Sequence, residues 1–547
     1  MKKLNSLFCL SLIIAVFSSC NYKRKVDLIL YNGTIYTVDE SFNIAEAVAV
    51  RDGIIKAVGT TKDILKDYDA PQKTDLGGKP LYPGFIDAHC HFFGYGIDKL
   101  KCDLYKTASF DEVINRVTDF AKTNKFEWIL GRGWDQNDWA VKEYPTKDKL
   151  DSLFPNTPVY LVRIDGHAVL CNSEALRRAG ITASTKITGG EILLKDGQLT
   201  GLIIDNAATQ VERVIPEFSE AEREKAILDA QKNCFAVGIT TVDDAGLGKD
   251  TIELIDRMHK KGVLKMRVYA MITDDARSLK YFFDHGPYKS ERLNVRAVKV
   301  YADGALGSRG ACLLKPYSDQ PEHFGFMLHS ISYFDSICEE AHDEGFQVCT
   351  HAIGDSAVRT MLAIYGRHLG TENDRRWRIE HCQVADPKDL DEFGKYSIIP
   401  SVQPTHATSD MYWAFDRLGA ERTKTAYAYS DLMENANDKI VFGTDFPVEN
   451  INPIFTFYAA TERQDLEDFP KNGFQPENRL KKKDALRAMT IWAAFSNFEE
   501  EEKGSIEEGK FADFVLLDQD ILQIEGRKIP EVKVMSTYVG GEKVYGR

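Results

Sequence analysis

Two histidines one residue apart, His89 and His91, end an apolar stretch running Phe85-Ile86-Asp87-Ala88-His89-Cys90-His91-Phe92. Pro83-Gly84 precedes it and Gly94 follows, so the stretch reads as a buried strand with turn signals at both ends. Side chains alternate along a strand, which sends Asp87, His89 and His91 to one side. Two imidazoles so placed can share one divalent ion, but such an ion needs further ligands from other elements. Further strand-like segments do end in ligand-type residues: Lys299, His351, His381 and Asp445. Four imidazoles and a carboxylate suit a divalent ion such as zinc. Lys299 fits only in altered form, because an ammonium is repelled by cations. A neutral amine that has reacted with CO₂ becomes a carbamate, an anionic two-oxygen ligand able to bridge two metals.

The elements that must position these residues alternate between strand-like and helix-like character. After Phe85–Phe92, the strand candidates are Thr240–Asp243, Arg267–Ile272, Val295–Tyr301, Gln347–His351, Trp377–Cys382, Ile398–Gln403 and Ile440–Asp445. Eight such units predict an α/β chain folded as a (β/α)8 TIM barrel, with its site at the C-terminal strand ends. Closure sets the eighth strand beside the first and brings Asp445 toward His89 and His91. The gap between the first two strands exceeds one crossover helix. Residues of about 95–235 therefore read as an insertion, with a hairpin at Gly190–Ile204.

Both ends of the chain read as β structure. Val26–Gly33 and Thr34–Val38 look like strands joined around Asn32-Gly33, and Ala47–Val50 with Ile54–Gly59 forms a hairpin across Arg51-Asp52-Gly53. Gly509–Asp518 and Thr537–Tyr545 read the same way at the far end. Neither piece is long enough to bury two faces alone, so they are expected to pair as one small β-sandwich. The expected organisation is a leader over 1–19, sandwich strands over 26–82, the barrel over 83–503 and the remaining sandwich strands over 504–547.

The leader has Lys2-Lys3, then an apolar run from Leu10 to Phe17, then Ser18-Ser19-Cys20. It resembles a bacterial lipoprotein signal, which implies export and a membrane anchor on lipidated Cys20 at the periplasmic or outer-membrane face. The net charge of −14 argues against nucleic acid as a partner. The eight cysteines after Cys20 contain no CxxC pair, so no disulfide framework or zinc ribbon is expected. The Gly-x-Ser-x-Gly elbow of serine hydrolases is absent around Ser308.

The chain resembles the amidohydrolase superfamily, and within it amidohydrolase family 3, the group that includes N-substituted formamide deformylase. The motifs that carry the resemblance are Pro83–His91, Gly131-Arg132-Gly133-Trp134-Asp135-Gln136-Asn137 and Asp165-Gly166-His167 through Ser173. They continue with Lys299–Arg309, His351-Ala352-Ile353-Gly354-Asp355, Ile379-Glu380-His381-Cys382-Gln383 and Gly443-Thr444-Asp445-Phe446-Pro447-Val448. The resemblance implies one or two divalent metal ions, zinc foremost, and a metal-activated hydroxide. It assigns His89, His91 and Asp445 to a first metal, His351 and His381 to a second, and a carbamate on Lys299 as the bridge. The expected reaction is hydrolysis of a non-peptide carbon–nitrogen bond in a small-molecule substrate, with Asp445 moving the proton. A single-metal deaminase and a non-catalytic binding lipoprotein are the alternatives. Trp134, Asp135, His167, Arg309 and His406 are the candidates for substrate contact, and a homo-oligomer is left open.

Overall fold

The computed structural model describes residues 23–123, 127–371 and 373–546, so the leader and Cys20 lie outside the described residues. Eight parallel strands form the centre: β1 Phe85–Cys90, β2 Ile239–Leu247, β3 Arg267–Thr273, β4 Leu293–Tyr301, β5 Gln347–Ala352, β6 Arg378–His381, β7 Ile399–Val402 and β8 Val441–Phe442. They pair in that order, each parallel to the next. Every residue of β1 and β5 is buried, as expected of strands covered by helices outside and by side chains within.

The seam between β8 and β1 is closed by residues just past the strand ends. Asp445 N donates to His89 O at 2.8 Å, and His91 N donates to Phe446 O at 2.9 Å. Asp87, which alternation sends toward the ligand side, works as a clasp here. Its carboxylate accepts from Thr444 N at 2.9 Å and from Thr444 Oγ1 at 2.7 Å. Gly443 permits the approach, because a Cβ there would meet the backbone N and O of His89 at 2.5 Å.

The chain ends do combine. A six-stranded sheet runs in the order Glu542–Gly546, Val534–Val539, Phe514–Leu517, Pro80–Pro83, Thr34–Tyr36, Ile44–Ala45, so C-terminal and N-terminal strands are neighbours. A four-stranded sheet of Ile54–Gly59, Ala47–Arg51, Leu28–Tyr31 and Gln72–Asp75 packs on it. Leu28, Leu30, Val48 and Val50 share one core with Leu81, Phe514, Leu516 and Tyr538. The turn at Asn32-Gly33 does not make a hairpin. Leu28–Tyr31 and Thr34–Tyr36 lie in different sheets, and Asn32 with φ 58° carries the chain from one to the other. Gly33 sits so close to Leu76 that a Cβ would meet its Cδ1 at 2.5 Å. Arg267 on β3 makes a buried two-point ion pair with Asp513, at 2.6 and 3.1 Å, and so ties the barrel to the C-terminal segment.

Between β1 and β2 the chain builds a second six-stranded sheet, in the order Cys102–Asp103, Ile129–Trp134, Val159–Arg163, Ala168–Cys171, Gln198–Asp205, Gly190–Lys195. Its last two strands are the hairpin read from the sequence. Apolar clusters line both of its faces. The loops leaving this sheet reach the C-terminal ends of the barrel strands.

Candidate active site

The backbone bends sharply where the ligand-type side chains sit. His381 has φ 76° and Asp445 has φ 61°, in the left-handed region that non-glycine residues rarely occupy. Such conformations persist only where surrounding contacts over-determine them, and they concentrate at functional sites. The bend turns both side chains inward at the end of their strands. Ligand atoms of His89, His381 and Asp445 all lie within 4.8 Å of one another. His91 Nε2 is 3.1 Å from Asp445 Oδ1, and Lys299 Nζ is 3.4 Å from His89 Nε2. The His351 ring lies 4.5 Å from that of His381, centroid to centroid. The family resemblance divides these residues between two metals. The structure places His381 in reach of both sets.

Burial and charge prepare the group for a cation. Burial first, and Lys299 second, pull the His89 imidazole down to about 4, so it is neutral with a lone pair to offer. Burial draws His381 well below its ordinary value, helped by His351. Burial alone would raise the Asp445 carboxyl, but His91, His89 and His406 outweigh it and hold it well below the usual carboxylate range. Among the described residues His381 Nδ1 and Asp445 Oδ1 are buried without a hydrogen bond, a costly state that a coordinated cation would relieve. The donor set is therefore fit for a divalent metal.

A partner shell that the sequence reading missed lies behind His89. Glu380 Oε2 is 2.7 Å from His89 Nδ1, and its other oxygen accepts from Arg378 Nε at 2.7 Å. Arg378 continues to Asp243 Oδ2 at 2.9 Å, and Asn497 Nδ2 donates to Asp243 Oδ1 at 2.6 Å. All four side chains are buried. A carboxylate on the far nitrogen fixes a ligating histidine's tautomer and ring orientation. A signal was present: Arg378 and Glu380 stand two apart, on one face of a strand that is buried throughout. His351 has its own neighbour in Asp303, 3.6 Å from Nε2, whose carboxylate is held by the backbone N–H groups of Cys312, Ile353 and Gly354.

The cluster opens into a cavity of about 410 Å³. His167 arrives from the insertion, with its ring 5.1 Å from that of His351 and Nδ1 2.6 Å from Asp205 Oδ1. His406 arrives from the helix after β7; its Nδ1 meets Gln383 at 2.9 Å, and its Nε2 is 3.5 Å from Asp445 Oδ2. Asp135 lines the cavity and is paired with Arg163, which also holds Asp165 at 2.6 Å. Trp134 points elsewhere. It is 1% exposed, packs in the core of the insertion and donates from Nε1 to Leu161 O at 2.9 Å. Arg309 pairs with Asp319 at 2.8 Å beside a second cavity.

The amidohydrolase family matches residues 72–545, nearly the whole described chain. The chain belongs to the amidohydrolase family. It is 35% identical over 541 residues to Protein LONG AFTER FAR-RED 3 of Arabidopsis thaliana, covering 95% of this chain and 91% of that one. It is 27% identical over 552 residues to N-substituted formamide deformylase of Arthrobacter pascens, covering 95% and 98%. A metal-dependent hydrolase of Pyrococcus horikoshii superposes with a TM-score of 0.75 at 28% identity, over 91% of this chain and 99% of that one. This amidohydrolase thus carries the family's barrel and a His/His/Asp cluster suited to its metals.

Proposed function

We propose that this amidohydrolase cleaves a non-peptide carbon–nitrogen bond, an amide or formamide, in a small molecule. The observation that carries the reading is the position of Asp445: one oxygen in the ligand cluster, the other 3.5 Å from His406 Nε2. A divalent ion held by His89, His91, His381 and Asp445, with His351 and Lys299 completing a second position, would supply activated water and polarise the substrate carbonyl. Asp445 takes the proton released as water adds to the carbonyl carbon. It then returns that proton to the departing nitrogen, which leaves poorly as an anion. His406 faces the same carboxylate at 3.5 Å and adds to the electrostatic pull that keeps it ionised.

Lys299 is the proposed site of carbamylation. It is fully buried, and burial pulls its ammonium down to about 8, so a useful share of the amine is neutral at physiological pH. Attack of that amine on CO₂ forms the N–C bond and releases one proton, leaving a carbamate. The proposed anchor is a lipid on Cys20, tested by loss of fatty-acid labelling in Cys20→Ala.

The deciding experiment is metal analysis of protein lacking the leader, followed by a panel of N-formyl, N-acyl and cyclic amides. Metal-dependent release of amine and carboxylate is expected. Ammonia release from ring amino groups alone would mark a deaminase, and a fully loaded protein inert across the panel would overturn the hydrolase reading.

A further inference from the structure

A second cavity, of about 450 Å³, lies where the insertion meets the barrel loops. The insertion contributes Gln136, Asn137, Lys142 and Tyr144 to its wall. The loop after β4 and the segment after β7 contribute Arg309, Asp319 and Arg417, with Trp413 between this cavity and the catalytic one.

The charges do not cancel at its floor. Asp319 is shared by two guanidiniums: Arg309 Nη2 at 2.8 Å and Arg417 Nη1 at 2.6 Å. Two cations on one carboxylate leave a surplus positive charge, in a chain whose net charge is −14. The rim adds one charge of each sign, Lys142 and the exposed Asp416. Arg417 is 5% exposed, and among the described residues its Nε has no acceptor. Asn137 Nδ2 and the Tyr144 hydroxyl, on the same wall, are also buried without a partner. Arg417 Nη2 lies 3.4 Å from Asn137 Oδ1, which fixes the amide with its NH₂ end turned from the guanidinium. Buried donors left unpaired are costly, and three of them around a surplus cation specify an acceptor-rich anionic occupant. Guanidinium groups match the geometry of planar or tetrahedral oxyanions.

We propose that this cavity is a binding site for a small oxyanion, a carboxylate or a phosphate, held by Arg417 and Arg309 with Asn137, Tyr144 and Lys142. The proposal stands apart from the metal chemistry and does not depend on the bond that is cleaved. Because the occupant would bridge the insertion and the barrel, it also braces the wall that carries His167 over the metal cluster.

The test is isothermal titration calorimetry of the metal-loaded protein at constant ionic strength, with inorganic phosphate in one arm and succinate in the other. Wild type and the double variant Lys142→Gln/Tyr144→Phe are compared: phenylalanine keeps the ring that packs against the insertion's core and removes only the hydroxyl, and neither side chain lines the catalytic cavity. Saturable one-to-one binding of at least one anion is expected, weakened about tenfold or more in the double variant. The arm that binds tells phosphate from carboxylate. Arg417→Gln, used once its melting curve matches wild type, should abolish binding. Two results overturn the proposal. One is no saturable binding in wild type, meaning that water alone fills the cavity. The other is undiminished binding in the double variant, which places the anion at the metal centre.

Discussion

Glu380→Gln tests whether the buried carboxylate behind His89 governs the metal site. Glu380 is an acceptor twice over: Oε1 receives Arg378 Nε at 2.7 Å and Oε2 receives His89 Nδ1 at 2.7 Å. Glutamine keeps the volume but replaces one acceptor with an NH₂ donor. If the amide oxygen stays on Arg378, the NH₂ faces His89 Nδ1. That nitrogen must then become the acceptor, and the ring proton moves to Nε2. Nε2 is the nitrogen that faces Lys299 and Asp445, so the tautomer needed for ligation is lost. If the amide flips, two donors meet at Arg378 inside a dry barrel. Loss of such an outer partner costs about 10–100-fold in metal affinity. Breaking a buried ion pair costs about 3–5 kcal/mol, an upper bound here because Asp243 still accepts from Arg378 at 2.9 Å. Metal affinity is read by competition with a chelator of known strength, and stability by melting the metal-free form, so the two effects separate. A Glu380→Gln protein that binds metal within twofold of wild type would refute the tautomer argument, whatever its melting temperature.

Asp445→Asn keeps a metal-facing oxygen but cannot carry a proton, so kcat should fall by about 10²–10⁴ in protein that still holds metal; near-normal turnover at full metal content would pass the proton role to His406. Lys299→Ala should lower the metal bound per chain, and reloading of wild type should depend on bicarbonate; bicarbonate-independent reloading to full activity would remove the carbamate. Burial alone would raise Asp513, but Arg267 outweighs it and holds the carboxyl below its ordinary 3.8. A depressed carboxyl contributes stability above its unfolded pKa, and the contribution is lost as pH falls through the folded value. Asp513→Asn should therefore melt lower than wild type by a constant margin from pH 5 to 8. The margin should shrink below about pH 4, and one independent of pH down to pH 3 would show that the ion pair contributes nothing.

Sequence by itself determined the barrel and the identity of its rim. Eight apolar, β-branched runs separated by helical segments predict parallel strands, because strands buried on both faces must be apolar throughout. One polar residue on such a run is more often a satisfied core residue, but His89, His91, Lys299, His351, His381 and Asp445, taken together in this order, point to a site. The joining of the two chain ends was also legible, since neither piece could bury its own faces. Three matters were decided only by tertiary structure. Asn32-Gly33 reads as a hairpin turn locally, but the packing of Leu76 against Gly33 sends the next strand into the other sheet. Trp134 and Asp135 share a motif and alternation sets them on opposite faces, but which face becomes the insertion's core and which meets the cavity depends on how the insertion packs on the barrel. Glu380, Arg378 and Asp243 come from β6 and β2, and their meeting behind His89 exists only inside the closed barrel. Local pattern governs which face of an element a side chain takes. Which side chains then share a hydrogen bond depends on distances across the fold, and no single stretch of chain encodes those.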